Sequence, residues 1–437
     1  MQLEDLYKLY LSHPVVTTDS RDCPPGSIFF ALKGENFDGN VYASKAIAAG
    51  CAYAVVDCPE FAPKGDNRYI AVDNALKTMQ DLARLHRETL GKKGLKVIQI
   101  TGTNGKTTTK ELVSAVLERK YSVLHTEGNF NNHIGVPKTL LRLNSGHEVA
   151  VIETGANHPG EIALLTSIVH PDYGIITNVG RAHIEGFGSF EGVVRTKAEL
   201  YDYLRAKPGA AIFLNNDSEI LCKVAHDITA YRYGTKPAEG LTAEGRITDC
   251  DPYLKFEWRG EGTEQWLPVA TKLIGDYNIA NLLAAVSVGI KFGVDARDIC
   301  AALEEYTPSN NRSQLKQTDN NTLIIDAYNA NPTSMHAALE NFAALHAANK
   351  MVILGEMREL GAESTDDHQQ LLDFLARAGF ARVWLIGENF ERLHPQFTTF
   401  HTVDDAIAEI GRHPLKGYTI LIKGSNSNKL YRLPEYL

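Results

Sequence analysis

Apolar runs alternate with amphipathic stretches along the first fifth of the chain, in the order expected of a small α/β unit. Short apolar runs rich in branched and aromatic residues predict strands, and stretches with helical periodicity predict helices. A polar, glycine-bearing segment, GKKGLK, then separates this unit from the next and indicates a linker. The pattern predicts an N-terminal domain over residues 1–92 with strands at 27–32, 53–56 and 68–72 and helices at 41–50 and from Asp73 onward.

The middle of the chain alternates wholly apolar runs with helical segments. Continuous apolar runs are typical of parallel strands that are covered on both faces by helices. A long helical stretch, NIANLLAAVSVGIKFG, closes this part of the chain. The pattern predicts a central, mostly parallel sheet domain over residues 93–306, with strands at 96–100, 149–153, 173–179 and 210–215.

Three strand and helix pairs recur in the last third of the chain. This arrangement is typical of a doubly wound, Rossmann-like domain, predicted here over residues 307–437. The predicted fold class is therefore α/β with three domains: a small N-terminal domain, a central phosphate-loop domain and a C-terminal Rossmann-like domain. The pairs are 322–326 with 332–345, 350–355 with 366–379, and 382–387 with 404–411.

Composition and charge narrow the class of protein. The chain has 437 residues and a net charge of −9, so it lacks the surplus of Lys and Arg that a protein gripping nucleic-acid phosphates needs. No apolar run approaches the ~20 residues that span a bilayer, and no signal peptide pattern opens the chain. The six cysteines are scattered without a metal or disulfide spacing. We expect a cytoplasmic protein that binds no nucleic acid and does not insert into membranes.

The segment TGTNGKTTTKE at residues 101–111 is the strongest local signal for chemistry. It follows a predicted strand and opens a predicted helix, where glycines let backbone N–H groups approach phosphates and a lysine reaches the outer phosphates. One departure from the full Walker pattern is Ile100, which stands where a glycine is usual. We predict ATP binding by Gly102, Thr103, Asn104, Gly105, Lys106, Thr107 and Thr108.

Three further residues are candidates for the chemistry around the phosphates. Glu153 and His183 follow predicted strands, at the sheet edge where open α/β sheets bind ligands. A carboxylate there suits a hard cation, whereas a lone histidine is more often solvated or a helix cap. Lys197 lies in a predicted helix, and its spacing alone indicates an ordinary surface lysine.

Taken in order, GTNGKT, GNFNNHIGVP, ETGANHPGEI, TNVGRAHIEGFGS, RTKAEL, GDYNIANLLAA, DAYNANPTS and LGEMRELG resemble the motif series of the Mur ligases over nearly the whole chain. The resemblance implies that Lys197 is carbamylated and shares a second Mg²⁺ with His183. It implies that Thr107 and Glu153 hold a first Mg²⁺ beside the nucleotide. Lys106, Glu153, His183 and Lys197 are then the expected catalytic residues.

The same resemblance assigns nucleotide contacts outside the phosphate loop. Asn278 and Asn281 correspond to asparagines that contact adenine, although Asn278 could instead cap its helix. Arg312 and Asp326 fall where family members contact the nucleotide after domain closure. The C-terminal motifs depart from the family pattern at three positions, which are Asn311 for a glycine, Ala327 for a serine and Asn426 for the arginine after KGS.

The YNANP motif resembles that of the dipeptide-adding member of the family. Members that add a diamino acid usually carry a DNPR-like motif, which this sequence lacks. The implied reaction is the ATP-dependent ligation of D-alanyl-D-alanine to UDP-N-acetylmuramoyl-tripeptide through an acyl phosphate, yielding the pentapeptide precursor of peptidoglycan. We expect a monomer, with lysine or diaminopimelate at peptide position three left open. The expected substrate-binding residues are Ser20, Arg21, Lys33, Asn329 and Asn331, within signature segments that also contain Asp19, Gly34 and Asp38.

Other functions remain open on the sequence alone. A folylpolyglutamate synthetase or another Mur enzyme would share the ATP chemistry with a different acceptor, although the N-terminal unit disfavours the folate reading. A switch or motor ATPase would explain GTNGKT by itself, but it should carry a strand-terminal aspartate where Glu153 stands. A nucleotide-binding module without catalysis is the third alternative, and the joint presence of Lys106, Glu153, His183 and Lys197 disfavours it.

Overall fold

The structure, a computed structural model, describes residues 2–261, 263–308 and 312–437. Three sheets of four, nine and six strands follow one another along the described chain, and helices cover them. The predicted α/β class is confirmed. The predicted boundaries after residues 92 and 306 stay predictions, and Asn311 lies outside the described residues. No helix in the described ranges is long and apolar enough to cross a membrane.

The first unit contains a parallel four-stranded sheet in the order β1-β2-β5-β6, and β3 and β4 form a separate hairpin. The three predicted strands and both predicted helices are present. The side chain of Asn74 caps the start of the helix Ala75–Gly91 by accepting a hydrogen bond from the Lys77 amide. The elements are α1 (Leu3–Ser12), β1 (Val16–Thr17), β2 (Ile28–Phe30), β3 (Lys33–Gly34), β4 (Phe37–Asp38), α2 (Ala43–Ala48), β5 (Tyr53–Val56), β6 (Tyr69–Ala71) and α3 (Ala75–Gly91), with 3-10 helices at Gly39–Tyr42 and Pro59–Phe61.

The central sheet has nine strands in the order β15-β14-β13-β12-β11-β10-β7-β9-β8. The strands from β8 to β13 pair in parallel, as predicted, whereas β13, β14 and β15 pair antiparallel. The elements are β7 (Lys96–Thr101), α4 (Lys106–Leu117), β8 (Val123–His125), α5 (Gly135–Leu140), β9 (Val149–Glu153), α6 (Glu161–Val169), β10 (Tyr173–Ile176), α7 (Ile184–Phe187), α8 (Phe190–Ala206), β11 (Ala211–Asn215), α9 (Glu219–Val224), β12 (Ala230–Gly234), β13 (Leu241–Cys250), β14 (Tyr253–Gly260), β15 (Thr263–Ile274), α10 (Ile279–Lys291) and α11 (Ala296–Glu305), with a 3-10 helix at Asp276–Asn278.

The helix α3 belongs to the cores of both units. Met79 and Leu82 pack in one buried cluster with Ile28 of the first sheet and with Val97 and Ile152 of the central sheet. A helix that buries apolar surface on two sides holds the sheets on either side of it together. The first unit is therefore packed firmly against the central one.

An ion pair crosses the same contact. Arg87 of α3 donates to the Asp172 carboxylate at 2.7 Å and to the Val169 carbonyl at 3.1 Å. Asp172 also accepts a hydrogen bond from the Lys207 ammonium at 3.0 Å. Burial opposes ionisation of Asp172, but Arg87 and Lys207 hold the pKa of this carboxyl below its usual value.

The C-terminal sheet has the order β16-β17-β21-β18-β19-β20, and only β16 pairs antiparallel among these strands. The three predicted strand and helix pairs are present. The central strand β21 and the edge strands β16 and β20 were not predicted. The elements are β16 (Gln314–Gln317), β17 (Thr322–Asp326), α12 (Pro332–Ala344), β18 (Lys350–Gly355), α13 (Ser364–Arg377), β19 (Arg382–Ile386), α14 (Glu388–Glu391), β20 (Thr398–Phe400), α15 (Val403–Arg412) and β21 (Thr419–Lys423), with 3-10 helices at Gly361–Glu363, Asn426–Asn428 and Leu430–Glu435.

Candidate active site

The phosphate loop connects β7 to α4 and has the predicted strand–loop–helix geometry. Gly102 has φ +144° and Gly105 has φ +76°, two conformations that side chains disfavour. A Cβ atom on Gly102 would overlap the Thr177 hydroxyl, and one on Gly105 would approach Asn281 Oδ1 to 2.7 Å. Ile100, the departure from the Walker pattern, is a fully buried residue of β7. The glycine-bearing turn therefore begins after that strand.

Two residues after β10 hold this loop in place. The Thr103 and Asn104 amides donate to the Asn178 carbonyl and side-chain oxygen, both at 3.0 Å. The Thr177 hydroxyl and the Asn178 amide group donate to the Asn104 carbonyl at 2.6 and 3.0 Å. Thr177 and Asn178 were not among the predicted site residues. Their only signal in the sequence was their place at the start of TNVGRAHIEGFGS.

Lys106, the first residue of α4, folds back over the phosphate loop. Its ammonium donates to the Gly102 and Thr103 carbonyls, both at 2.9 Å. Burial lowers the pKa of Lys106 to about 8, with Glu153 opposing the shift and Arg312 adding to it. The ammonium is thus held within reach of any phosphate bound by the loop.

Glu153 and Thr107 meet beside the loop. The Thr107 hydroxyl donates to Glu153 Oε2 at 2.9 Å, and the Asn131 amide donates to Glu153 Oε1 at 2.8 Å. Glu153 is buried at the end of β9. Asn131 was not predicted as a site residue, although it lies in the motif GNFNNHIGVP. The pair brings a hydroxyl and a carboxylate oxygen together.

His183 stands at the contact between the central and C-terminal units. It has φ +53°, begins α7, and its Nδ1 contacts the Glu359 carboxylate of the C-terminal unit. Burial lowers the pKa of His183, while the charge and hydrogen bond of Glu359 oppose the shift. His183 does not cap α7 with its side chain.

Lys197 is not the surface lysine that its spacing indicated. Its side chain is 2% exposed, and its ammonium lies 5.3 Å from the centre of the Phe187 ring. His183 contacts the same ring edge-on. Burial lowers the pKa of Lys197 to about 7, and the charge of Lys106 acts in the same direction. A neutral amine is therefore accessible near neutral pH.

Asn278 and Asn281 are coupled to each other and to α4. The Asn281 amide donates to Asn278 Oδ1 at 2.9 Å, and Asn281 Oδ1 accepts from the Thr109 hydroxyl at 3.0 Å. Asn278 donates to the Ile274 carbonyl at 2.9 Å and makes no capping hydrogen bond to α10 with its side chain. Asn278 therefore stands at the N-cap position of α10 without capping the helix by its side chain, and its contact with adenine stays a prediction.

The C-terminal unit contributes charged groups to the same region. The Arg312 guanidinium lies 3.9 Å from the centre of the Tyr328 ring, and its buried Nε atom has no hydrogen-bond partner among the described residues. Asp326, at the end of β17, forms an ion pair with the buried Lys423 at 2.5 Å. Arg312 therefore retains a buried donor that a nucleotide could satisfy.

The YNANP segment contacts the phosphate loop directly. Asn331 Nδ2 donates to Asn104 Oδ1 at 2.8 Å, and Asn331 Oδ1 caps α12 by accepting from the Ser334 amide at 2.9 Å. Asn329 Oδ1 accepts from the Ala330 amide at 2.9 Å. The predicted substrate contact of Asn331 stays a prediction, and the structure assigns its side chain a linking role.

Two cavities lie on either side of the phosphate loop and share Asn104, Gly105, Arg312, Tyr328 and Asn329 as walls. The larger, of about 460 Å³, brings together the predicted residues Thr103, Lys106, Thr107, Glu153 and His183. The smaller, of about 330 Å³, brings together Thr108, Asn278, Asn281 and Asp326. Gly102, Lys197 and Asn331 line neither cavity but contact or adjoin residues that do.

The predicted substrate residues of the first unit lie outside both cavities. Arg21 forms a two-point ion pair with Asp19, at 2.9 and 2.7 Å, and is exposed. The Lys33 ammonium donates to Cys58 Sγ at 3.1 Å and lies 3.7 Å from the Asp38 carboxylate. Ser20 lies beside Arg21 in the same turn. Arg21 and Lys33 are both exposed, and each is already paired with a carboxylate of the first unit.

The donor atoms near the phosphate loop fit a hard cation only in part. Thr107 and Glu153 offer adjacent oxygens, which Mg²⁺ prefers. No group of three or more His, Cys, Asp or Glu residues in the described ranges could hold a metal ion. Lys197, as an amine, supplies no oxygen, so a second metal position beside His183 requires chemical modification of this lysine.

Comparison with known proteins assigns the chain to a family. Residues 14–87 match the Mur ligase family catalytic domain, 100–289 the Mur ligase middle domain, and 311–426 the Mur ligase glutamate ligase domain. The chain is 33% identical over 435 residues to the UDP-N-acetylmuramoyl-tripeptide–D-alanyl-D-alanine ligase of Bacillus subtilis (strain 168), covering 97% of this chain and 92% of that relative.

Solved structures agree with this assignment. The structure of MurF from Acinetobacter baumannii superposes with a TM-score of 0.85 at 30% identity, covering 96% of this chain and 92% of that one. The MurF ligase from Thermotoga maritima in complex with ADP gives a TM-score of 0.85 at 25% identity, covering 98% and 97%. With three matching domains and relatives similar over nearly its full length, the chain belongs to the Mur ligase family.

Proposed function

We propose that this chain is the ATP-dependent ligase that joins D-alanyl-D-alanine to UDP-N-acetylmuramoyl-tripeptide, a step of peptidoglycan synthesis. The observation that carries the proposal is that full-length similarity to ligases of this name coincides with an assembled phosphate site, in which Lys106, Thr107, Glu153 and His183 line one cavity. ATP is the phosphoryl donor, in keeping with the ADP complex of the Thermotoga maritima relative.

The reaction proceeds in two steps. First, a carboxylate oxygen of the tripeptide's terminal residue attacks the γ-phosphorus of ATP, the bond to the β,γ-bridging oxygen breaks, and an acyl phosphate and ADP form. Next, the free amine of the dipeptide attacks the acyl carbon, loses a proton, and inorganic phosphate leaves. Neither step requires a protein nucleophile, so the protein contributes positioning and electrostatic stabilisation.

The residues around the phosphate loop divide this work. Loop amides bind the phosphate oxygens, and the Lys106 ammonium neutralises charge that develops during transfer. Asn278 and Asn281 border the smaller cavity, where the nucleoside would lie. Arg312 and Asp326 approach the nucleotide from the C-terminal unit, which shields the acyl phosphate from water.

Thr107 and Glu153 would hold one Mg²⁺ on the phosphates, and His183 with a carbamylated Lys197 would hold a second. Mg²⁺ supplies charge neutralisation on the phosphate oxygens. The support for the carbamate is the burial of Lys197 beside His183 together with its lowered pKa, because a neutral amine reacts with CO₂. A carbamate then offers two anionic oxygens where an ammonium would repel the cation.

The three parts of the chain take different roles in this reaction. Residues 1–92 bind the UDP-sugar peptide through Ser20, Arg21 and Lys33, residues 93–306 bind ATP, and residues 307–437 close over ATP and bind the dipeptide with Asn329 and Asn331. The protein acts as a cytoplasmic monomer on small-molecule substrates. Two exposed cations in the first unit, Arg21 and Lys33, suit an anionic UDP-sugar.

Phosphate release with defined substrates tests the function. We expect phosphate release only when ATP, UDP-N-acetylmuramoyl-tripeptide and D-alanyl-D-alanine are all present. The mass of the product should exceed that of the UDP-sugar tripeptide by two alanine residues. Lys106→Ala should lower the rate roughly a hundredfold or more while the protein stays folded. Release driven by free D-glutamate, lysine or diaminopimelate in place of the dipeptide would assign the chain to another member of the family.

A further inference from the structure

One wall of the larger cavity lies outside the phosphate loop and is formed by the start of α6. Glu161, Leu164 and Leu165 line the cavity there. Since Leu164 and Leu165 follow Glu161 by three and four residues, the three side chains lie on one face of the helix. Leu164 is 44% exposed. The wall thus places a carboxylate next to uncovered aliphatic surface.

Glu161 has one carboxylate oxygen engaged and one left over. Its Oε2 atom accepts hydrogen bonds from the Asn157 and His158 amides at 2.7 and 3.0 Å. Its Oε1 atom accepts none from the described residues and lies 3.7 Å from His158 Nδ1. Burial opposes ionisation of Glu161, but the two amide hydrogen bonds hold the pKa of this carboxyl below its usual value. Glu161 therefore keeps its negative charge and offers one oxygen to a ligand in the cavity.

The other carboxylate among the described residues that line this cavity is already engaged. Glu153 accepts hydrogen bonds from the Thr107 hydroxyl and the Asn131 amide, one on each oxygen. It also lies beside the phosphate loop, where the proposed function assigns it to the metal. Glu161 is thus the carboxylate of this cavity that remains for a cationic group of a substrate.

The proposed reaction determines which part of a substrate enters the cavity. The attacking carboxylate belongs to the third residue of the peptide stem, and the side chain of that residue leaves the same Cα atom. When the carboxylate meets a phosphate beside Lys106 and Thr107, this side chain must therefore lie in the same cavity. Lysine and diaminopimelate both have a side chain of methylenes that ends with a charged amine. Such a side chain suits a wall that joins leucine to a carboxylate.

On the basis of the proposed function, we infer that the start of α6 recognises the side chain of the third peptide residue. Leu164 packs against the methylenes, and Glu161 Oε1 accepts a charge-assisted hydrogen bond from the terminal ammonium. A stem whose third residue lacks the amine leaves this carboxylate without a partner, which costs affinity. Glu161 is therefore a specificity-determining residue that selects a diamino acid at peptide position three.

The test compares peptide stems in the full-length enzyme. Ligation of D-alanyl-D-alanine is measured with UDP-N-acetylmuramoyl-tripeptides that end in lysine, diaminopimelate or norleucine, which is lysine without its amine. For the diamino peptide that the wild type uses better, kcat/KM should exceed that for the norleucine peptide by about ten- to hundredfold. Glu161→Gln should reduce this preference to below about threefold and leave the KM values for ATP and D-alanyl-D-alanine unchanged.

The substitutions are chosen to separate recognition from folding. Glu161→Gln keeps a side-chain oxygen for the Asn157 and His158 amides while removing the charge. Leu164→Ala should weaken the diamino and norleucine peptides alike by about three- to tenfold, because all of them carry the methylenes. The matched control is Glu219→Gln, which removes an exposed carboxylate from the first turn of α9, outside both cavities.

Two results would overturn the inference. One is an equal loss on all three peptides in Glu161→Gln, which is the result of a structural role alone. The other is a wild-type enzyme that uses the norleucine peptide as well as the diamino peptides. A protein that adds the dipeptide to none of the three stems would instead remove the proposed function, so the two failures are distinguishable.

Discussion

Lys197 illustrates how the surroundings of a residue decide its chemistry. Helical spacing indicated a solvated ammonium, yet the side chain is buried between α8 and the Phe187 ring beside His183. Burying an ammonium without a partner costs free energy, so burial increases the population of the neutral amine. The neutral amine is the form that reacts with CO₂. Sequence spacing could not reveal this burial, because Phe187 and His183 come from a separate turn of the chain.

We predict that Lys197→Ala loses most ligase activity and that short carboxylic acids restore part of it by supplying the missing oxygens. Lys197→Arg should not respond, since its permanent cation fills the space. Because the pKa of Lys197 is lowered to about 7, the neutral amine gains population as pH rises through that value. Bicarbonate should therefore reactivate CO₂-depleted enzyme better at about pH 8 than at about pH 6.

A phosphate-release assay across these variants and conditions provides the measurement. Full activity of Lys197→Ala without added acid would contradict the carbamate. Bicarbonate that reactivates equally well at both pH values would contradict the role of the lowered pKa.

At the scale of elements, the phosphate loop depends on a backbone shape that only glycine adopts easily. Gly102 leaves β7 with φ +144° and lies against Thr177, the residue that helps anchor the loop from β10. The path of the loop from β7 to α4 therefore depends on the close contact between Gly102 and Thr177. A side chain at Gly102 would both strain the backbone and displace its anchor.

We predict that Gly102→Ala destabilises the protein by about 1–3 kcal/mol and removes most of the stabilisation that ATP confers. The matched control is Gly411→Ala, because Gly411 lies in α15 with open space around its Cβ position. That change should stabilise by about 0.5–1 kcal/mol. Chemical unfolding with and without ATP measures both effects. An ATP-induced stabilisation of Gly102→Ala equal to that of the wild type would count against this account.

The elements that the sequence predicted are those whose patterns are local. Buried parallel strands such as β7 and β9 are continuous apolar runs, and α3 carries a strong helical period. The strands β13, β14 and β15 were missed because they are not continuous apolar runs. Polar residues interrupt the core residues by which β13 and β14 pack against α10 and β15 packs against α11. The strand β21 was missed although it lies in the middle of its sheet, since no predicted helix follows it.

The site residues divide in the same way, since those with a local signal were predicted and those placed by long-range contacts were not. The loop residues and Glu153 follow from a motif and a strand end, which are local signals. Thr177, Asn178 and Asn131 act through contacts that join distant segments, and Glu359 reaches the site from another domain. Only folding brings such groups together, so the sequence could mark their motifs without revealing their partners.

At the scale of the whole molecule, the first unit and the central unit share a core through α3. The Arg87 and Asp172 ion pair lies in this contact, with Arg87 only 3% exposed. Arg84 of the same helix pairs with Glu88 at 3.8 Å but is 47% exposed. The two arginines therefore allow the buried and exposed contributions to be compared within one helix.

We predict that Arg87→Ala lowers the free energy of unfolding by about 2–4 kcal/mol, because Lys207 is then the one cationic partner that the described residues leave to Asp172. Arg84→Ala should cost about 0–1 kcal/mol, since water screens its ion pair. Denaturant unfolding monitored by circular dichroism gives both values. Equal effects of the two substitutions would show that the buried pair does not stabilise the contact between the units.

The shared helix α3 has a consequence for substrate length. If the first unit grips the uridine diphosphate end, as proposed, the core around α3 fixes how far that end lies from the phosphate loop. The peptide stem must then span one constant gap to present its terminal carboxylate to the γ-phosphate. Stems one residue too short would stop before the phosphate, and longer ones would have to buckle. The packing around α3 would thus select for a peptide stem of three residues by fixing the distance between the two binding sites.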